Sequence, residues 1–271
     1  MTALPAAVLP LITGGRGRGP MVASALVAGS LAPDVMFFVD SLVPGSYGAG
    51  RTLHRLWAIP TLDVAVGAVL VAGWHGLLRE PLVALLPGPW ADRAGAVTAP
   101  RRKSGSRPSR QDAAWFAGSV ALGAATHVGW DSFTHHGHTG VRLLPVLDRE
   151  IAGMPGHLAL QWSTSAVGLA AIAVGVTRTL RARPEVPPRR TVLTPRARRR
   201  GTALIAAGAV AGAAHRCLRE LPKRHGGRPA GSELVATVSF GGGAGALVGA
   251  TLHAVATRLT NRPNIGLTSA P

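Results

Sequence analysis

The sequence predicts an all-α protein, a polytopic helical membrane bundle with about six transmembrane segments. Three observations point there. Of the 271 residues, 47% are hydrophobic and only 15% are charged, whereas soluble domains carry about 25% charged residues. Six apolar stretches, at about 21–43, 58–78, 113–133, 158–177, 202–218 and 234–257, approach the roughly 20 residues that a helix needs to cross a hydrocarbon core of about 30 Å. The basic residues fall in the connections between those stretches, as they do in membrane proteins.

That distribution also decides what the net charge of +17 means. Such a charge first suggests nucleic acid, but the basic residues form no single stripe, so no nucleic-acid partner is expected. With Arg216 counted in the 216–233 loop, 20 of the 29 Lys and Arg residues lie on one side of a six-span topology. The positive-inside rule places that side, and with it both termini, in the cytoplasm of a cell-membrane (plasma or inner-membrane) protein. The five basic residues of the 216–233 loop run against this orientation, and a re-entrant fifth segment is the alternative. No signal-peptide pattern is present: residues 5–12 give only a short apolar run before Gly14-Gly15-Arg16. Cys217 is the single cysteine, which excludes an intramolecular disulfide and a Cys-based zinc site.

Along the chain, the first span contains Pro33, which can break the helix. Glu80–Pro87 is too short to cross and reads as an interfacial piece anchored by Trp90. Ser109 and Asp112 form a capping pair that opens the third span. The connections around 95–112 and 181–201 are rich in Arg, Pro and Ser. They suit contact with anionic lipid head groups, each charge contributing about 1 kcal/mol near the surface. Gly208, Gly212, Gly241, Gly245 and Gly249 recur at four-residue spacing in the last two spans. That pattern permits close packing within the bilayer and a helix-mediated homo-oligomer. A phosphate-binding reading of Gly241-Gly242-Gly243 fails because no Lys-Ser/Thr follows. The division expected is a membrane domain over 1–178, a basic cytoplasmic linker over 179–201, and two Ala/Gly-rich segments with a tail over 202–271.

Chemistry concentrates in the third span. His127 and Asp131 are four residues apart inside an apolar run, so both side chains leave one helix face. Both are costly in an apolar setting unless something pairs them, and ionisable residues inside a membrane mark function by default. Asp34, His54 and Asp63, followed by His135, His136 and His138, fall on the same side of the predicted topology. Simpler roles compete: Asp34 or Asp63 can cap a helix, His54 can be a solvated loop residue, and at most one of the loop histidines serves as a ligand. His75, His215 and His253 read as interfacial. A His/Asp set of this kind suits zinc, which takes nitrogen and oxygen donors.

These residues resemble a bacterial family of multi-pass membrane proteins with no assigned activity. The resemblance rests on Pro5-Ala6-Ala7-Val8-Leu9-Pro10-Leu11, Gly29-Ser30-Leu31-Ala32-Pro33-Asp34 and His127-x-x-x-Asp131-Ser132-Phe133-Thr134-His135. That family is itself similar to the LexA-regulated membrane-bound metal-dependent hydrolases. More distantly, the order Asp, His, His-x-x-x-Asp, His resembles zinc-dependent phospholipase C and P1-type nucleases. The resemblance spans roughly residues 4–178. It implies a ligand set of Asp34, His54, His127, Asp131 and His135. Given a bound metal that activates water, Asp131 or Asp63 is the expected residue to orient or deprotonate that water. The family's histidine before Pro5 is Leu4 here, and its Gln-His is Gln161-Trp162. What remains suffices for one site of three to five ligands.

The expected function is therefore a metal-dependent hydrolase, with zinc as the expected cofactor, acting near the extracytoplasmic face on a phosphoester or lipid-linked substrate. Its alternatives are a non-catalytic membrane protein with a degenerate, structural metal site, and a transporter using Asp34, Asp63 and Asp131 as a cation path. The missing repeated halves count against the transporter.

Overall fold

The computed structural model describes residues 21–100, 109–151, 153–182, 193–220 and 231–260. Leu4, the 5–11 motif and much of the basic connections lie outside these residues. Among the described residues the fold is all-α apart from one small hairpin, and the chain divides into two compact units, 1–74 with 92–188 and 75–91 with 189–271.

In the first unit, α1 (Ala23–Leu31) ends where Pro33 tightens the backbone into a 3-10 turn, Ala32–Asp34. Short α2 (Val35–Val39) and α3 (Tyr47–Leu53) lead to α4 (Leu62–Gly73). α5 (Arg79–Val83) belongs to the second unit, and the chain returns to the first within α6 (Gly88–Val97); α7, Arg110–Thr134, follows. It opens on a reciprocal capping box: Ser109 Oγ accepts from the Asp112 amide at 3.0 Å, and Asp112 Oδ2 accepts from the Ser109 amide at 2.9 Å. α8 (Thr139–Leu143), a 3-10 turn at Pro145–Asp148 and the hairpin β1 (Glu150–Ile151) with β2 (Met154–Pro155) then precede α9, Gly156–Arg181.

Small residues let α1 and α7 cross closely. A Cβ on Gly29 would collide with the Val120 carbonyl, and one on Gly123 with the Leu26 carbonyl. Leu26, Val120 and Ala124 are fully buried at this crossing. The Val22 amide donates to Ser119 Oγ at 3.0 Å, fixing the far end.

The second unit is built on α10 (Pro195–Glu220) and α11 (Gly231–Thr260). They run antiparallel, with Gly201 opposite His253, Gly208 opposite Gly245 and Gly212 opposite Gly241. Several of these glycines face backbone, where a side chain would not fit. The Gly241–Gly243 run is helical, within α11.

Among the described residues, four helices are long and apolar enough to cross a membrane: Leu62–Val83, Gly156–Arg181, Pro195–Glu220 and Gly231–Thr260. Of the six predicted spans, the first is a shorter apolar stretch, Ala23–Val39, broken at Pro33. The third is 25 residues long, but Ser119, Thr126, His127, Asp131 and Ser132 lower its hydropathy, and it is not one of the four. The fifth is a continuous helix of 26 residues rather than a re-entrant piece.

The helix of the second predicted span continues to Val83, so Glu80–Val83 forms its last turn rather than a separate helix. Pro81 has no amide to give the Leu77 carbonyl, and the helix passes this point through a π turn at Trp74–Leu78. In the second unit, Arg258 from the last turn of α11 donates to the Gly76 and Leu77 carbonyls at 2.5 and 3.2 Å.

Candidate metal centre

The C-terminal end of α1, the start of α4 and the last turns of α7 meet at one end of the first unit. Each brings a polar side chain. The 3-10 turn after α1 presents Asp34 and the end of α3 presents His54. The second residue of α4 is Asp63, and α7 contributes His127 and Asp131 from one face.

Four atoms converge. His127 Nε2 lies 3.3 Å from Asp131 Oδ2 and 3.5 Å from Asp34 Oδ1. His54 Nε2 lies 3.5 Å from each of the same two oxygens. The rings of His54 and His127 are 5.4 Å apart and nearly edge to face. One donor atom from each of these residues lies within 4.8 Å of all the others. Two ligands 2.0–2.2 Å from one tetrahedral zinc ion are themselves separated by about 3.3–3.6 Å, so the four His–Asp spacings are compatible with a shared ion as well as with direct ion pairs.

The other ring nitrogens fix which atoms face inward. Pro33 cannot offer an amide to the Ser30 carbonyl, and that carbonyl lies 2.8 Å from His127 Nδ1. His54 Nδ1 likewise lies 2.9 Å from the Gly50 carbonyl. A carbonyl only accepts, so both Nδ1 atoms carry the proton and both Nε2 atoms are left for the cluster. His127 is fully buried, yet its Nε2 has no partner of hydrogen-bond geometry. The donor set and this orphaned nitrogen both fit a divalent transition metal.

The remaining residues sort by distance. Asp63 is fully buried with neither carboxylate oxygen hydrogen-bonded, in electrostatic reach of His54 and His127. His135 stands apart from the four: its Nδ1 is 3.9 Å from Asp131 Oδ1 and its side chain is 40% exposed. His54 lies outside the candidate membrane spans. Burial pulls its basicity down, but hydrogen bonds to Asp131 and Asp34 outweigh that and raise its pKa to about 9.

The sequence model of a family described as Domain of unknown function (DUF4184) matches residues 2–255. The chain belongs to that family. No curated protein and no solved structure matches it.

Sequence reasoning missed the residues that support the family member's cluster from behind. Phe37 packs on His54 with ring centroids 5.5 Å apart, in space that a Cβ on Gly50 would occupy. The Ser30 and Gly50 carbonyls leave no mark in a residue pattern. Pro33 was the one available signal for the first.

Proposed function

We propose that the protein is an integral membrane hydrolase whose Asp34, His54, His127 and Asp131 bind a divalent transition metal, zinc by preference. In this reading all six predicted spans cross a cell membrane and both termini are cytoplasmic. The basic connections meet anionic lipid heads, and the centre faces the extracytoplasmic side. The carrying observation is the convergence of four donor atoms at ligand-pair spacing, with both imidazoles oriented by backbone carbonyls.

When bound, zinc supplies Lewis-acid activation of water and polarises a phosphoryl or acyl oxygen. The chain's own residues do the rest. Asp34 and His54 are 14% and 17% exposed at the side chain, which leaves this edge open to substrate, whereas His127 closes the inner side. Asp63, with both oxygens unengaged, takes the proton from the attacking water. Exposed Leu56 and Trp57 lie two and three residues after His54, beyond exposed Arg55, and this apolar pair beside a cation suits an amphiphilic ester or lipid-linked phosphate entering from the membrane interface.

A second reading has its own support: four protein donors would fill the four positions that structural zinc sites use, leaving none for water. That reading is a non-catalytic membrane protein held together by its metal. The test is metal content of detergent-purified protein, native against His127→Ala/Asp131→Ala, followed by a phosphoesterase and esterase screen. Near-stoichiometric zinc lost in the variant, with turnover by the native chain alone, supports the hydrolase. Zinc without turnover supports the structural site. No zinc in either protein, after titration with added zinc, rejects both.

A further inference from the structure

Beyond the end of α7 lies a second group of donors that the first centre does not use. Asp148 closes the Pro145–Asp148 turn, His136 follows α7, and His157 is the second residue of α9. Asp148 Oδ1 lies 3.2 Å from His136 Nδ1 and 3.6 Å from His157 Nδ1. The two rings are 5.8 Å apart, and one donor from each of the three residues lies within 4.8 Å of the others.

The loop that carries them is pinned shut. Gly153 makes the hairpin turn at φ 81°, a left-handed conformation that favours glycine. The Gly156 amide donates to the Arg149 carbonyl at 2.8 Å. A Cβ on Gly156 would press to 3.2 Å on the Val146 and Leu147 carbonyl oxygens, so glycine lets α9 start against the turn. His157 is thereby buried to 6% exposure, and its Nδ1 donates to the Leu147 carbonyl at 3.1 Å, so an ion taken by this nitrogen must displace that proton. His136 and Asp148 stay open, 78% and 45% exposed at the side chain.

We propose that His136, Asp148 and His157 form a second, solvent-facing site for a divalent transition metal of the zinc class. Two imidazoles and one carboxylate suit such an ion better than magnesium or calcium, which favour oxygen donors. Three protein ligands leave coordination positions open to water or to an incoming anion. The exposed donors make this the faster-exchanging and weaker of the two sites. It shares no ligand with the buried centre and does not depend on it.

The experiment is a zinc titration of the full chain in detergent, reading stoichiometry and affinity, repeated with cobalt to read the absorption of the bound ion. The variants are His136→Ala, Asp148→Asn and His127→Ala/Asp131→Ala. His136 and Asp148 are exposed, so their loss leaves the fold intact. The expected result is that His136→Ala and Asp148→Asn each weaken the lower-affinity equivalent at least about tenfold, while the double variant retains it. A native chain that binds only this equivalent supports the outer site and rejects the buried one. Unchanged stoichiometry, with affinity within twofold in both His136→Ala and Asp148→Asn, overturns the proposal and leaves the triad a hydrogen-bonded loop clasp.

Discussion

His127 hangs by its Nδ1 from the Ser30 carbonyl, 2.8 Å away and 97 residues earlier in the chain. One bond thus joins the interior of α7 to the last turn of α1, and the α1–α7 crossing becomes part of the centre's geometry.

Gly29→Ala tests that dependence. A methyl group there collides with the Val120 carbonyl, and overpacking of this kind typically costs about 1–3 kcal/mol. The expected outcome is a lower thermal midpoint in detergent together with weakened zinc binding, although residue 29 is no ligand. Unchanged zinc affinity in a destabilised variant would show that the crossing and the centre are uncoupled.

Zinc affinity should rise with pH. The ion must displace the proton that His54 holds with a pKa of about 9, so binding strengthens by about tenfold per pH unit for that proton and levels off above pH 9. Linkage gives the metal-free chain the opposite slope. A folded-state pKa raised above 6.5 contributes stability that is complete below 6.5 and is lost as pH climbs through 9. Thermal midpoints at pH 6, 7.5 and 9, with and without zinc, check both slopes.

Asp63→Asn separates the hydrolase from the structural metal protein. Its side chain is no member of the four-donor cluster, so zinc stoichiometry should hold. Turnover of an accepted substrate should fall by about 10²–10⁴, the usual worth of a general base. Full activity in the variant would remove Asp63 from the mechanism.

Arg258→Ala should destabilise the second unit by about 0.5–1.5 kcal/mol, because it strips the donor from two exposed helix carbonyls. Pro81→Ala made on top of it returns an amide in register with Leu77 and should recover part of the loss. Additive destabilisation in the double variant would show that the arginine acts elsewhere.

How much of this was readable from the chain depends on the range of each interaction. The Ser109–Asp112 box and the shared face of His127 and Asp131 are set within one helical turn, so spacing alone reveals them. The glycine seam of α10 and α11 is equally visible, because small residues at four-residue intervals leave one backbone face bare. His54 was a weaker inference, since its position depends on Phe37 filling the space beside Gly50. His135 and His136 are chain neighbours with the same side chain, yet only His136 reaches a three-donor group, with Asp148 and His157. That choice is made by a turn and a hairpin more than ten residues downstream. The helix's continuation to Val83 was hidden because a π turn and a distant arginine accommodate a proline that usually ends a helix.

Two imidazoles held from behind by backbone carbonyls are rotors stopped during folding, not at the moment an ion arrives. The ordering entropy has already been spent, so loading need not reorganise the polypeptide. A chelator should therefore strip the centre and leave its frame standing, and zinc added back should refill it without a refolding step. Small zinc domains behave differently, because their ligands scatter when the ion leaves.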